Sequence, residues 1–141
     1  MPNRADELVG LLVEEISKLN EHPIDSYSGD TLSRVCVRLA SYKAGLGTYV
    51  SNARGDTWRA EKALAEAKAN GYQMLRDEGR SQGDADSLKA TKCQDEYDNW
   101  IRAKELEDRL VGMSLNIHDL IDAIKSRLIY MQMELKESQA F

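Results

Sequence analysis

Five basic residues, Arg54, Arg59, Lys62, Lys68 and Arg76, share a short stretch of chain with Trp58 and Tyr72. Guanidinium and ammonium groups follow a phosphate backbone, and an exposed ring stacks on an unpaired base for about 1–3 kcal/mol. Basic and aromatic residues interleaved in this way suit a track for single-stranded nucleic acid. The net charge of −5 conceals an asymmetry. Residues 1–30 carry two basic and seven acidic side chains, residues 31–76 eight and three, and residues 77–141 nine and fourteen. A positive middle between negative flanks is a candidate anion-binding face. Two plainer readings stand beside it: Trp58 and Tyr72 as core residues, and the basic groups as partners of the acidic segments around them.

No other constellation has the spacing of a reactive site. Gly45-Leu46-Gly47 lacks the third glycine and the following Lys-Ser/Thr of a phosphate cradle, and fits a close helix crossing better. Gly112-Met113-Ser114 lacks the second glycine of a nucleophile elbow. His118 and Asp122 are four residues apart, an ordinary pair on one helix face rather than part of a triad. Asp95, Glu96 and Asp98 have no histidine beside them and read as a solvated face. Cys36 and Cys93 form no CxxC, and the two histidines complete no zinc site, so both cysteines are expected as free thiols in a reducing compartment. The expectation is a protein that is not an enzyme, with no metal and no cofactor.

The elements that must position the basic stretch are helices. The chain of 141 residues is long enough for one domain with a core of its own. Aromatic residues supply only 6% of it, which suits thin helix–helix seams better than a bulky centre. Both prolines, Pro2 and Pro23, lie in the first quarter, and no β-branched runs mark a sheet. A first helix is expected over about 4–21, with Leu8, Leu12, Ile16 and Leu19 on one side, ended by His22-Pro23. A connector completes residues 1–29, and Ser28 or Asp30 can cap the second helix. The long basic helix takes residues 30–79. Leu32, Val35, Leu39, Tyr42, Leu46, Tyr49 and Ala53 alternate by threes and fours in it. At Gly55-Asp56 the seam breaks and resumes in a shifted frame through Trp58, Leu64, Tyr72 and Leu75, a stutter, kink or full break. Gly45, Gly47, Gly55 and Gly71 each cost the helix roughly 1 kcal/mol relative to alanine, so it must rely on packing. Residues 80–86 read as a glycine-rich loop with Ser81, Asp84 and Asp86 as candidate caps, and residues 87–141 as the C-terminal helix.

That last helix carries the longest apolar stripe: Leu110, Ser114, Ile117, Ile121, Ile124, Leu128, Met131 and Leu135, at alternating steps of four and three. A second track through Leu106, Met113 and Leu120 widens it. The stripe is expected to bury itself against copies of the chain, with Leu110, Ile117, Ile121, Ile124, Leu128, Met131 and Leu135 as oligomerisation residues. The fold class expected is all-α: a short N-terminal helix and a long antiparallel helical hairpin, coiled-coil-like, assembling through its C-terminal helix. Acidic residues interrupt the N-terminal apolar positions and no run reaches the roughly 20 residues of a membrane span, so no membrane contact and a cytoplasmic location are expected.

Within the stripe, Ile121-Asp122-Ala123-Ile124-Lys125-Ser126-Arg127, followed by an apolar–basic tail to Phe141, resembles the recombination mediator proteins of tailed phages, the UvsY type. Their last helix carries Asp-Ala-Ile-Lys-Ser-Arg at nearly the same distance from its end. The order of short helix, long basic helix, glycine-rich loop and long helix is also similar, and Ile24-Asp25-Ser26 is a minor further match. The resemblance implies a ring-like homo-oligomer in the cytoplasm of an infected host cell. It also implies binding to single-stranded DNA and loading of a RecA-like recombinase onto strands coated by single-strand-binding protein. The family's basic pair near the end of the long helix is spaced Lys-x-Arg. Here Lys68 matches, but Asn70 stands at the second position. The rival reading, from a different class, is a non-catalytic helical adaptor or virion-associated structural protein making only protein contacts. A small inhibitor of a host enzyme is a third.

Overall fold

The structure, a computed structural model, describes residues 4–139, so Pro2 and Phe141 lie outside it. Among the described residues it is all-helical, without a strand. The elements are α1 (Arg4–Asn20), a 3-10 turn (Ile24–Ser26), α2 (Gly29–Asp77), α3 (Gln82–Leu88), a second 3-10 turn (Lys89–Lys92) and α4 (Gln94–Gln139). The packing gathers into two compact units, residues 50–110 and the remainder, and both long helices pass through both.

In the unit formed by residues 4–49 and 111–139, α1 closes a three-helix core. Leu12 of α1, Leu32, Leu39 and Leu46 of α2, and Ile117 and Ile124 of α4 are all fully buried. Truncating any of these to alanine removes a close-packed side chain, a loss worth about 2–5 kcal/mol. α1 ends where Pro23 forbids continuation, and the Tyr27 hydroxyl lies 2.8 Å from the Leu19 carbonyl and 3.0 Å from that of Lys18, which also accepts from the Glu21 amide. Ser28 caps α2, its Oγ accepting from the Thr31 amide at 3.2 Å. Polar ties join the helices at the rim. Arg38 of α2 reaches the mostly buried Glu15 carboxylate of α1 at 2.7 Å, and Lys43 of α2 donates to His118 Nδ1 of α4 at 2.9 Å. The other ring nitrogen of His118 lies 3.3 Å from Asp122, so the pair expected from sequence forms, tied in addition to α2.

In the unit formed by residues 50–110, the core is thinner: Val50, Ala53, Leu64 and Leu75 of α2, Ala85 of α3, and Cys93 and Leu110. α2 runs unbroken across Gly55. The expected frame shift does not occur, because the seam continues on small residues. From Leu46 the covered positions are Val50, Ala53, Thr57, Ala60, Leu64, Ala67 and Gly71, still alternating by four and three. Thr57 is buried with its hydroxyl donating to the Ala53 carbonyl at 3.0 Å. The large side chains Trp58 and Tyr72 lie off this line.

The glycine-rich segment also departs from expectation. α2 stops at Gly79, whose φ of 84° is open to glycine, with the Gly79 amide on the Arg76 carbonyl and the Arg80 amide on that of Leu75, both 3.0 Å. The segment 80–86 is then mostly helix, not loop. Ser81 caps α3 through the Asp84 amide (3.2 Å), and Ala85 anchors it by complete burial. The C-terminal helix accordingly begins at Gln94 rather than Ser87. Residues 89–92 form instead a 3-10 turn pressed on α2. A Cβ on Gly71 would stand 3.0 Å from Lys92 Cβ and 3.1 Å from the Lys89 carbonyl.

The two kinds of glycine separate experimentally. Gly71→Leu is expected to lower stability by about 1–3 kcal/mol through overpacking. Gly47→Ala, where an added Cβ meets nothing within 4 Å, is expected to raise it by about 0.5–1 kcal/mol. Urea melts followed by helical circular dichroism measure both.

Candidate nucleic-acid interface

At 100° per residue, Arg54, Trp58, Lys62, Ala65, Ala69, Tyr72 and Arg76 fall on one flank of α2, beside the seam rather than in it. Their spacing follows from the seam itself. Once Ala53, Thr57, Leu64 and Gly71 face inward, residues one or five positions further on turn to the side. Trp58 is 61% exposed, the most exposed aromatic side chain in the unit, and the Lys62 ammonium sits 5.7 Å from its ring centroid. A cation over an exposed indole contributes roughly 0.5–1 kcal/mol, enough to orient the pair without closing the ring's outer face. The reading of Trp58 as core is therefore incorrect, and Tyr72 is half-buried.

The five basic residues do not act alike. Arg54 approaches Glu107 of α4 at 3.9 Å, and that mostly buried carboxylate also has Lys104 at 3.8 Å. Arg59 points away from the flank and pairs within α2 with Asp56. Lys62 and Lys68 meet no carboxylate among the described residues. Lys68 is half-buried near the seam, whereas Lys62 is exposed. Arg76 donates to the Arg80 carbonyl at 3.0 Å and so locks the end of α2 while its charge stays in solvent. Of these five residues, pairing with another helix takes up Arg54 alone, through a long contact whose guanidinium side is open to solvent.

The arrangement is a rail of three cations, Arg54, Lys62 and Arg76, with an exposed indole between the first two and a tyrosine near the third. Ala65 and Ala69 leave its middle low. It can hold phosphates and stack unpaired bases. No group of three or more histidine, cysteine or acidic side chains among the described residues is arranged to hold a metal ion. Sequence reasoning overlooked the small-residue line Ala53, Thr57, Ala60, Ala67, Gly71. That line was the available signal that Trp58 faces outward.

The residues expected to oligomerise are placed differently from one another. Leu110, Ile117, Ile121 and Ile124 are buried within the chain's own units, and Leu128 and Met131 are half-buried, each with a methyl 3.8 Å from where a Cβ on Gly29 would stand. Of the stripe only Leu135 is exposed, at 58%, near Ile129, Tyr130 and Met133, which are exposed on the same helix. No helix among the described residues is long and apolar enough to cross a membrane. In comparisons with known proteins, no family model, curated protein or solved structure matches this chain.

The outward indole gives a direct check. In a Trp100→Phe variant, iodide should quench the remaining Trp58 emission readily. In Trp58→Ala, the half-buried Trp100 should be quenched markedly less, and unfolding should shift by no more than about 1 kcal/mol, the worth of the lost Lys62 contact.

Proposed function

We propose that this chain is a non-catalytic recombination mediator that binds single-stranded DNA along the Arg54–Trp58–Lys62–Arg76 flank of α2. The observation that carries the reading is Trp58, exposed, with the Lys62 ammonium beside its ring and Lys62 itself meeting no carboxylate among the described residues. An exposed indole beside a cation is a platform on which an unpaired base can stack. The wider role, presenting DNA to a RecA-like recombinase on strands coated by single-strand-binding protein, rests on the resemblance of residues 121–127 and on the order of elements.

The proposal includes an antiparallel hairpin of α2 and α4. Its support lies within the unit of residues 4–49 and 111–139, where contacts descend along α4 as they ascend along α2: Leu128 and Met131 lie against Gly29, and His118 against Lys43. It includes self-association as well, assigned to the exposed end of α4 around Ile129, Met133 and Leu135, since Leu110 to Ile124 are occupied within the chain. Several copies would give several rails, and affinity would grow by avidity rather than by tighter single contacts.

The test is fluorescence anisotropy of a labelled thymine oligonucleotide. Three phosphate contacts per chain predict a log–log salt slope near −2, hence a weakening of roughly twentyfold between about 50 and 200 mM salt. Trp58→Ala should lower affinity at least about fivefold and leave that slope unchanged. Lys62→Ala should flatten it by about 0.7. Absence of binding at the lower salt would overturn the reading in favour of an adaptor working through protein contacts alone. Independently, Met133→Glu with Leu135→Glu should reduce the sedimenting species to a monomer without lowering the melting temperature; an unchanged species would remove the α4 end as the assembly surface.

A further inference from the structure

We propose that the groove beside Tyr72 reads guanine in the bound strand, an inference that rests on the single-stranded-DNA reading above and adds base preference to it. Tyr72 of α2 and Gln82, Gly83 and Asp86 of α3 line an open groove of about 460 Å³, within the span of sites that accept small planar ligands. Tyr72 lies eighteen residues, five helical turns, from Arg54 and one turn from Arg76. A strand following the rail therefore passes the mouth of the groove.

The lining has the parts a base requires. Tyr72 supplies a ring to stack on. Gly83 keeps the wall low, since a Cβ there would meet nothing within 4 Å. Asp86 supplies acceptors, and Lys89 lies 2.7 Å from its Oδ1, offsetting the negative charge that would otherwise repel a phosphodiester. An ionised carboxylate offers about four lone-pair directions, and the Lys89 contact takes one. Guanine alone among the four bases places two N–H donors side by side on its Watson–Crick edge, the N1–H and the exocyclic amine. A carboxylate accepts both at once, a charge-assisted pair of hydrogen bonds. The Gln82 amide can donate to the neighbouring O6. Thymine, cytosine and adenine each leave one carboxylate oxygen facing another acceptor or no polar atom.

The experiment compares anisotropy titrations of three oligonucleotides of equal length: thymine only, thymine with isolated guanines, and the same with hypoxanthine in place of guanine. The guanine strand should bind at least about fivefold more tightly than the thymine strand, the discrimination a good two-hydrogen-bond contact gives. Hypoxanthine, which lacks the exocyclic amine, should fall between them. Asp86→Asn, whose amide opposes one of the two donors with a donor of its own, and Gly83→Leu, which fills the groove, should each reduce the preference to within about twofold. Gly83→Leu should keep thymine-strand affinity and its salt slope, because it touches none of Arg54, Trp58, Lys62 and Arg76, whereas Asp86→Asn releases the Lys89 charge and should leave thymine binding no weaker. Salt-sensitive thymine binding with no guanine preference, or a preference unchanged in both variants, would overturn this inference and leave the DNA reading standing. Failure of every strand to bind at about 50 mM salt would overturn both.

Discussion

Two helices of 49 and 46 residues depend on a single narrow line of inward-facing side chains. α2 carries four glycines in its interior, each a local cost of roughly 1 kcal/mol, and few of its exposed residues support one another by pairing. Isolated in water, such a helix would fray. It persists because Leu32, Leu39 and Leu46, then Val50, Ala53, Thr57 and Leu64, are removed from solvent by α1, α3 and α4. Most helical stability in globular proteins arises this way, from packing of one face rather than from propensity. The orientation of every other side chain on α2 follows from which residues occupy that line.

The line changes character along the helix. Where α1 is present, the seam is filled by leucines and isoleucines with no exposure. In the unit of residues 50–110 alanine, threonine and glycine are interspersed with Val50, Leu64 and Leu75, and Lys89 and Lys92 press on Gly71. Small inward residues have a consequence for the outside. The bulky groups on α2 in this unit, Trp58 and Tyr72, are not needed to fill the core and are left on the flank. The same economy that makes the core thin frees the aromatic side chains for other work.

Many cations have acceptors within the fold: Arg38 with Glu15, Arg34 with Asp30, Arg127 with Asp25 and Lys43 with His118 in the unit containing α1, and Arg59 with Asp56 and Lys89 with Asp86 in the other. On the α2 flank of the other unit, Lys62 has only an indole and Arg76 only a backbone carbonyl. Charges whose electrostatics the fold leaves unmatched remain able to answer an external anion, although the chain as a whole is acidic.

The all-helical class was legible in the sequence, because three-and-four spacing, two early prolines and an absence of β-branched runs are local properties. So were the first helix, its end at Pro23, the Ser28 cap, and the contact of His118 with Asp122, each decided by residues a few positions apart. The short helix α3 was not legible. Gln82–Leu88 has loop-like composition, and its helical state depends on Ala85 finding a buried place on neighbouring elements. The unbroken course of α2 across Gly55 was likewise decided by packing, since small residues make a seam only when another backbone approaches closely enough to touch them. The basic and aromatic residues of the candidate rail could be named from their types alone. That Trp58 faces solvent, that Arg59 faces away, and that Leu110 to Ile124 are occupied within the chain required the tertiary structure. Which face of an apolar helix is covered is fixed by its neighbours, and a single helix does not encode who they are.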